Sequence, residues 1–222
     1  MSDHELAARL ATEAGNLLLR VRDELADASE KERKDAGDKR SHDFLMQALA
    51  AERPDDAVLS EEGVDNPARL SAHRVWIVDP LDGTREFSES GREDWAVHVA
   101  LWQDGELVAG AVALPAQGVT LATPTVAAPP PAPSAPRIVV SRTRPPALAL
   151  DVRHALGGTL VEMGSAGAKV AAVVQGKADV YVHAGGQYEW DSAAPVAVAR
   201  AAGLFTSRLD GSPLRYNQPD PK

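Results

Sequence analysis

Hydrophobic residues recur at helical spacing near the start of the chain, and the pattern predicts a long amphipathic helix there. The apolar stripe consists of Leu6, Leu10, Ala14, Leu17, Leu18, Val21 and Leu25. The stretch ASEKERKDAGDKRSH has no such stripe and is interpreted as a polar connection. A second helix is predicted over about residues 40–52, with Phe44, Leu45 and Leu49 facing inward, and Pro54 ends it.

Short apolar runs with strand character follow these helices. The runs AVLSEEG and RVWIVDP both end in acidic residues. The segments WAVHVALW (95–102) and ELVAGAVAL (106–114) flank Asp104-Gly105, which predicts a β-hairpin. His98 alternates with core positions in the first of these segments and is interpreted as structural.

A proline-rich stretch divides the chain. Residues 123–136 contain six prolines in TPTVAAPPPAPSAP, which predicts an extended surface linker. Strand-like and helical patterns alternate beyond it, and LFTSRLDGSPLRY is interpreted as a final strand and turn. We therefore expect an α+β or α/β protein with an N-terminal α+β subdomain over residues 1–136 and a C-terminal α/β subdomain over residues 137–222.

Composition excludes several kinds of site. The 222 residues are 44% hydrophobic and include no cysteine, so disulfides, thiolate nucleophiles and cysteine-ligated metals are excluded. No apolar run is long enough to span a bilayer, and the N-terminus has no signal-peptide pattern. These features predict a cytoplasmic protein without a membrane partner.

The net charge of −9 restricts the ligands that we expect. Binding to a nucleic acid polymer needs clustered lysine and arginine and is therefore not expected. A small anionic substrate would need local positive charge, and bound cations are one way to supply it.

Acidic residues stand at four places where a strand gives way to a turn or where a helix begins. They are Asp38, Glu61 with Glu62, Asp79 with Asp82, and Asp191. Singly, each has a simpler explanation as a turn, a solvated loop, a helix cap or a surface residue. Together they provide the oxygen ligands that hard divalent cations prefer.

The sequence DPLDGT has local geometry suited to such a site. Pro80 disfavours helix at Asp79, and a turn can then bring Asp79 and Asp82 to one side. Gly83 permits close approach to the backbone, and Thr84 would begin a segment whose free N–H groups attract an anion. The stretch thus combines carboxylates for cations with donors for a phosphate.

Three segments of the chain resemble the signatures of the inositol monophosphatase-like superfamily of metal-dependent, lithium-sensitive phosphatases. They are LSEEG, WIVDPLDGTREF and WDSAAPVAVARAAG, in the order of that family. DPLDGTREF, VVSRTR and GSAGAK are most similar to its CysQ branch of 3′(2′),5′-bisphosphate nucleotidases. The resemblance implies a layered αβαβα sandwich and removal of the 3′-phosphate of adenosine 3′,5′-bisphosphate, or of its sulfated form, in sulfate assimilation.

The resemblance also implies a set of metal ligands. Glu61, Asp79 and the Leu81 carbonyl would hold one Mg²⁺, and Asp79, Asp82 and Asp191 would hold a second. Glu61 would help to hold a weaker third ion. Two metals can clamp the attacking and leaving oxygens of an in-line displacement at phosphorus, without a covalent phosphoenzyme.

Catalytic and substrate-binding residues are implied in the same way. Asp38 and Thr84 would orient the attacking water, and Gly83 and Thr84 would present N–H groups to the phosphate. Further contacts to the nucleotide would come from Ser141, Arg142, Ser165 and Lys169. The family resemblance also suggests a homodimer.

Two departures from the family pattern leave alternatives open. The proline-rich stretch stands where relatives have another strand, and the sequence lacks the family's last strand. The alternatives are inositol monophosphate or fructose 1,6-bisphosphate as substrate, or an inactive truncated relative that acts as a binding protein. A haloacid-dehalogenase-type phosphatase is disfavoured, because that family uses Asp-x-Asp, and the spacing here is Asp-x-x-Asp.

Overall fold

The computed structural model describes residues 1–222 as five layers in the order αβαβα, which confirms the predicted fold class. The helices are α1 (Asp3–Glu24), α2 (Glu30–Glu52), α3 (Thr84–Ser88), α4 (Leu148–Leu156), α5 (Ala166–Val174) and α6 (Glu189–Ala201). The strands are β1 (Ala57–Ser60), β2 (Arg74–Asp82), β3 (Ala96–Gln103), β4 (Glu106–Leu114), β5 (Val119–Ala122), β6 (Arg137–Ser141), β7 (Thr159–Met163) and β8 (Val180–Tyr181). None of the helices combines the length and apolarity needed to cross a membrane.

The first sheet contains five strands in the order β1-β2-β3-β4-β5. β1 is parallel to β2, and the remaining neighbours are antiparallel. The second sheet is parallel and has the order β7-β6-β8. Antiparallel neighbours need only tight turns, as at the predicted hairpin between β3 and β4, whereas the parallel strands are joined by helical crossovers.

The alternating side chains of β2 explain why helices cover both faces of the first sheet. Trp76 and Val78 point to one face and pack in a core with α1 and α2. Val75 and Ile77 point to the other face, where α5 and α6 complete a second core. Because β2 is buried on both faces, its sequence is a continuous apolar run that ends only at Asp79.

The second sheet lies beyond α5 and α6. Val139 of β6 packs against Ala172 and Val173 of α5, while Ile138 and Val140 face the opposite side towards α4. Helices from the C-terminal half thus complete the core of the N-terminal sheet. The division of the chain into subdomains at residue 136 stays a prediction.

Two sequence-based assignments were wrong. The stretch interpreted as a polar connection is helical, because α2 begins at Glu30 with a capping box formed by Ser29 and Glu32. The segment after α6 contains no strand, and its contacts are made by loops instead. The proline-rich segment between β5 and β6 is without regular structure, as expected.

Close packing between β4 and α6 leads to the first prediction. A Cβ at Gly110 would lie 2.6 Å from the Cβ of Ala197, so Gly110→Ala should lower the free energy of unfolding by about 1–3 kcal/mol. Gly63→Ala is the matched control, because its Cβ would meet no atom closer than 3.5 Å. Urea unfolding of both variants checks this, and equal stability would contradict the described packing.

Candidate active site

Three carboxylates meet where β2 ends and α6 begins, two of them from β2 and one from α6. The register between β2 and β3 shifts between Asp79 and Asp82, so both side chains reach the α6 side of the sheet. Asp191 lies in the first turn of α6, more than 100 positions further along the chain. Oxygens of Asp79, Asp82 and Asp191 all lie within 4.8 Å of one another.

Asp82 is anchored by the N-terminus of α5. Its Oδ2 accepts hydrogen bonds from Ser165 Oγ at 2.5 Å and from the backbone N–H of Gly167 at 2.6 Å. Burial favours the neutral acid, but the charge of His98 and these donors outweigh burial and lower the pKa of Asp82 to about 2. Asp82 therefore stays ionised, with its other oxygen left for a cation.

His98 is fully buried and lies between two acceptors. Its Nε2 is 3.2 Å from Asp82 Oδ2, and its Nδ1 is 3.0 Å from the carbonyl oxygen of Trp190. Burial favours the neutral imidazole, but the charge of Asp82 outweighs burial and raises the pKa of His98 above its usual value. Gly167 packs so closely on Nε2 that a Cβ there would overlap the ring.

Asp79 and Asp191, together with Glu61, which lies outside this group of three but contacts Asp79, have charges that the protein stabilises less well. Burial and the charges of Glu61, Asp82 and Asp191 raise the pKa of Asp79 well above its usual value. Burial likewise raises the pKa of Glu61 to about 7 and that of Asp191 to about 6. Carboxylates at such separations repel by roughly 4 kcal/mol per pair at an effective dielectric near 20. The donor set thus fits hard divalent cations, which would offset this repulsion.

Asp38 and Thr84 meet beside this cluster. Asp38 lies in the interior of α2, so its predicted place at the end of an element was wrong. Thr84 Oγ1 lies 3.4 Å from Asp38 Oδ1 and 3.1 Å from the carbonyl oxygen of Leu81. Burial, followed by the charge of Glu62, raises the pKa of Asp38 to about 7. The hydroxyl therefore has two acceptors within reach, and its own oxygen is free to accept a hydrogen bond from water.

Gly83 links the carboxylate cluster to α3. Its φ of +85° is a conformation that favours glycine, and it forms the N-cap of α3. A Cβ at this position would lie 3.0 Å from that of Ser165. The turn therefore packs directly against the segment that anchors Asp82.

The predicted nucleotide contacts are divided between two places. Ser165 and Lys169 lie on the α5 segment, where Lys169 is buried and its Nζ donates to the carbonyl oxygen of Gly164 at 3.2 Å. Arg142 instead follows β6 and binds Glu86 at 2.7 Å and Glu89 at 2.8 Å. A phosphate at Arg142 would have to share the guanidinium with these carboxylates.

Ser141 is also engaged within the protein. Its Oγ accepts a hydrogen bond from the backbone N–H of Arg144 at 3.2 Å. Contact of Ser141 and Arg142 with a substrate stays a prediction.

His98 is the residue of this site that the sequence analysis interpreted differently. It was interpreted as structural, and it is fully buried, but it also contacts Asp82 and the carbonyl oxygen of Trp190, the residue before Asp191. The usable signal was an ionisable residue in a fully apolar strand that pairs with β2. The register places His98 opposite Asp79.

Comparison with known sequences identifies the family. The sequence pattern that defines the inositol monophosphatase family matches residues 3–127 and 137–221. The chain belongs to the inositol monophosphatase family. As a member of this family it is a metal-dependent phosphatase, and the internal segment between the two matched parts, 128–136, lies within the proline-rich stretch.

Several curated members of the family are similar over most of their length. The 3′-phosphoadenosine 5′-phosphate phosphatase of Mycobacterium leprae (strain TN) is 54% identical over 238 residues, which cover 100% of this chain and 86% of the relative. The enzyme of the same name from Mycobacterium tuberculosis (strain CDC 1551 / Oshkosh) is 56% identical over 218 residues, which cover 94% of this chain and 82% of the relative. The 3′(2′),5′-bisphosphate nucleotidase CysQ of Escherichia coli (strain K12) is 32% identical, and the alignment covers 94% of this chain and 91% of the relative.

Solved structures of the inositol monophosphatase family share the fold. CysQ from Bacteroides thetaiotaomicron superposes with a TM-score of 0.78 at 29% identity and covers 97% of this chain and 93% of its own. Inositol monophosphatase II from Staphylococcus aureus MSSA476 superposes with a TM-score of 0.80 at 22% identity and covers 94% of this chain and 84% of its own. The second likeness concerns the fold alone.

The raised pKa values predict how metal removal affects stability. Between pH 5 and 8, Asp38, Glu61, Asp79 and Asp191 bind more protons in the native state than in the unfolded chain, so deprotonation destabilises the native state. We expect the Tm in EDTA to fall from pH 5.5 to pH 8 and added Mg²⁺ to restore it at pH 8. Thermal unfolding in both buffers checks this, and a Tm that is insensitive to both would contradict it.

Opposite effects are expected for two neighbouring aspartates. Asp79→Asn removes a charge that burial and three acids disfavour, so it should raise the Tm of the metal-free protein at pH 8. Asp82→Asn removes a charge held by Ser165, Gly167 and His98, so it should cost about 2 kcal/mol or more. Thermal and urea unfolding in EDTA compare the pair, and the reverse order would overturn the assignment of charges.

Proposed function

We propose that this protein is a Mg²⁺-dependent phosphomonoesterase that removes the 3′-phosphate of adenosine 3′,5′-bisphosphate or of its sulfated form. The main support is the cluster of Asp79, Asp82 and Asp191, which come from two segments that are remote in sequence. Asp38 and Thr84 lie beside this cluster. The substrate is supported by relatives at 54–56% identity that are named 3′-phosphoadenosine 5′-phosphate phosphatases.

Two to three Mg²⁺ ions would be held by the acids at the end of β2 and their neighbours. The proposed ligands are Glu61, Asp79, the Leu81 carbonyl, Asp82 and Asp191. When bound, the ions would supply positive charge to the phosphate and lower the pKa of a bound water. The raised pKa values of Glu61, Asp79 and Asp191 support this proposal, because burial and neighbouring acids disfavour their charges and bound cations would offset the repulsion.

The chain's own residues would orient the reactants. Thr84 would donate its hydroxyl hydrogen to Asp38 and accept a hydrogen bond from the attacking water, which directs a water lone pair towards phosphorus. Asp38 has a pKa near 7 and is therefore suited to accept a proton at neutral pH. Gly83 and Thr84 would offer backbone N–H groups to the phosphate at the start of α3.

Recognition of the rest of the nucleotide would involve Lys169 and Arg142. Lys169 lies near Asp82, and its ammonium group donates to the carbonyl oxygen of Gly164 and lies 5.5 Å from the ring centroid of Tyr181. Ser165 would act through Asp82, because its hydroxyl already donates to that carboxylate. Ser141 would contribute a further hydroxyl next to Arg142.

The proposal also covers the setting of the reaction. We infer a cytoplasmic enzyme of sulfate assimilation, inhibited by lithium and active as a homodimer, with the chain divided into subdomains at residue 136. The support is similarity to CysQ proteins over most of the chain. Inositol monophosphate and fructose 1,6-bisphosphate remain the competing substrates, because they require the same metal site.

A substrate panel tests the proposal. We expect release of phosphate from adenosine 3′,5′-bisphosphate with Mg²⁺, a loss of activity in EDTA, and a kcat/KM at least about 100-fold lower for the two competing substrates, which lack the base. Asp79→Asn is the inactive control. Stronger turnover of inositol monophosphate would replace the nucleotide as substrate, and Mg²⁺ binding without any turnover would favour a binding protein.

A further inference from the structure

Residues 216–221, which we call the C-terminal strap, are held tightly although they form no helix or strand. Tyr216 and Asn217 are only 5% and 7% exposed. The side chains that receive them, Arg69 and Glu189, are 1% and 7% exposed. Buried charged groups of this kind are retained only where they have partners, so the contacts of the strap are specific.

The strap is hydrogen-bonded to the first turn of α6. The backbone N–H groups of Asn217 and Gln218 donate to the two carboxylate oxygens of Glu189 at 2.6 and 2.7 Å. The N–H of Glu189 donates in return to the carbonyl oxygen of Pro221 at 2.7 Å. The hydroxyl of Tyr216 lies 3.2 Å from Ser192 Oγ. These contacts flank Asp191 on both sides in sequence.

The same strap is tied to the connection between β1 and β2. Arg69 donates to Asn217 Oδ1 at 2.7 Å and to the carbonyl oxygen of Gln218 at 2.9 Å, and Asn217 Nδ2 donates to the carbonyl oxygen of Arg69 at 3.2 Å. This connection begins directly after β1 with Glu61. The strap thus joins the segments that carry Glu61 and Asp191.

The first turn of α6 fixes the orientation of Asp191. Its Oδ2 accepts a hydrogen bond from the N–H of Tyr188 at 2.7 Å, so the carboxylate follows any shift of that turn. Asn217 itself has a φ of +57°, a conformation that asparagine tolerates better than most residues. The charge of Arg69 is offset by a bidentate ion pair with Asp65 at 2.7 and 3.0 Å, whereas the carboxylate of Glu189 is held by the backbone N–H groups of the strap.

We propose that Arg69, Glu189 and Asn217 are positioning residues that hold Asp191 in place to bind a metal ion. The inference rests on the proposed function through the assignment of Asp191 as a ligand. Loss of the strap contacts should loosen the first turn of α6 and weaken metal binding, while the fold persists on its two large cores. Outer partners of metal ligands typically contribute about 10- to 100-fold to metal affinity.

Asn217→Gly tests this inference directly. It keeps the positive φ and removes the side-chain contacts to Arg69. Asp104→Gly is the matched control, because Asp104 has a φ of +48° in the exposed β3–β4 turn and loses the same backbone restriction. Glu189→Gln and the exposed Glu106→Gln form a second matched pair. Asn217→Asp keeps an acceptor for Arg69 and should restore much of the affinity.

The measurements are calorimetric titration of Mg²⁺ into EDTA-stripped protein and amide hydrogen exchange at residues 189–192. We expect Asn217→Gly and Glu189→Gln to weaken Mg²⁺ binding about tenfold and to speed exchange in this turn, with both controls unchanged. In the assay, the Mg²⁺ concentration for half-maximal rate should rise while kcat at saturating Mg²⁺ changes little.

Two negative outcomes have different meanings. Equal Mg²⁺ affinity and equal exchange in wild type, Asn217→Gly and Glu189→Gln would overturn the positioning role and leave the proposed function intact. Wild-type protein that bound no Mg²⁺ would overturn the proposed function and this inference with it. A fall in Tm without a change in Mg²⁺ affinity would reduce the strap to a structural element.

Discussion

Repulsion among buried carboxylates at the end of β2 is the constraint on which the rest of the structure depends. Asp79 and Asp82 end β2 and Asp191 begins α6, and of these three only Asp82 has enough donors and positive charge around it to lower its pKa. Asp79 receives little compensation, since the hydrogen bond from the N–H of Leu81 cannot offset burial and three nearby acids. This arrangement lowers the free energy of unfolding of the metal-free protein, and bound divalent cations would raise it again.

The layered architecture explains how one short segment can gather ligands from the whole chain. α5 and α6 lie between the two sheets, so their N-terminal turns reach the edge where β2 ends. One helix supplies donors to Asp82, and the other supplies Asp191. His98 joins the two through Asp82 and the carbonyl of Trp190, so the metal centre and the packing of the middle layer form one structure.

Asp79, Asp82 and Asp191, which meet in the structure, could be selected from sequence because their motifs are local, and the layered fold followed from alternating patterns and the family resemblance. Other features were not readable. The first half of α2 has no apolar stripe, although Ser29 and Glu32 carried a capping-box signal. The contact of His98 with Asp82 depends on β-sheet register, and the contact of Asn217 with Arg69 joins positions 148 residues apart. Single-sequence patterns do not encode such pairings.

Gly167 joins two requirements at one position. Its amide holds Asp82, and its lack of a side chain lets α5 approach His98 without overlap. Even a methyl group here would push the helix outward, and the second sheet moves with that helix. A substitution at Gly167 would therefore change both the spacing between the layers and the hydrogen bond to Asp82. A redesign of the site for a bulkier phosphate ester would therefore need substitutions at other positions, because a side chain at position 167 would overlap His98.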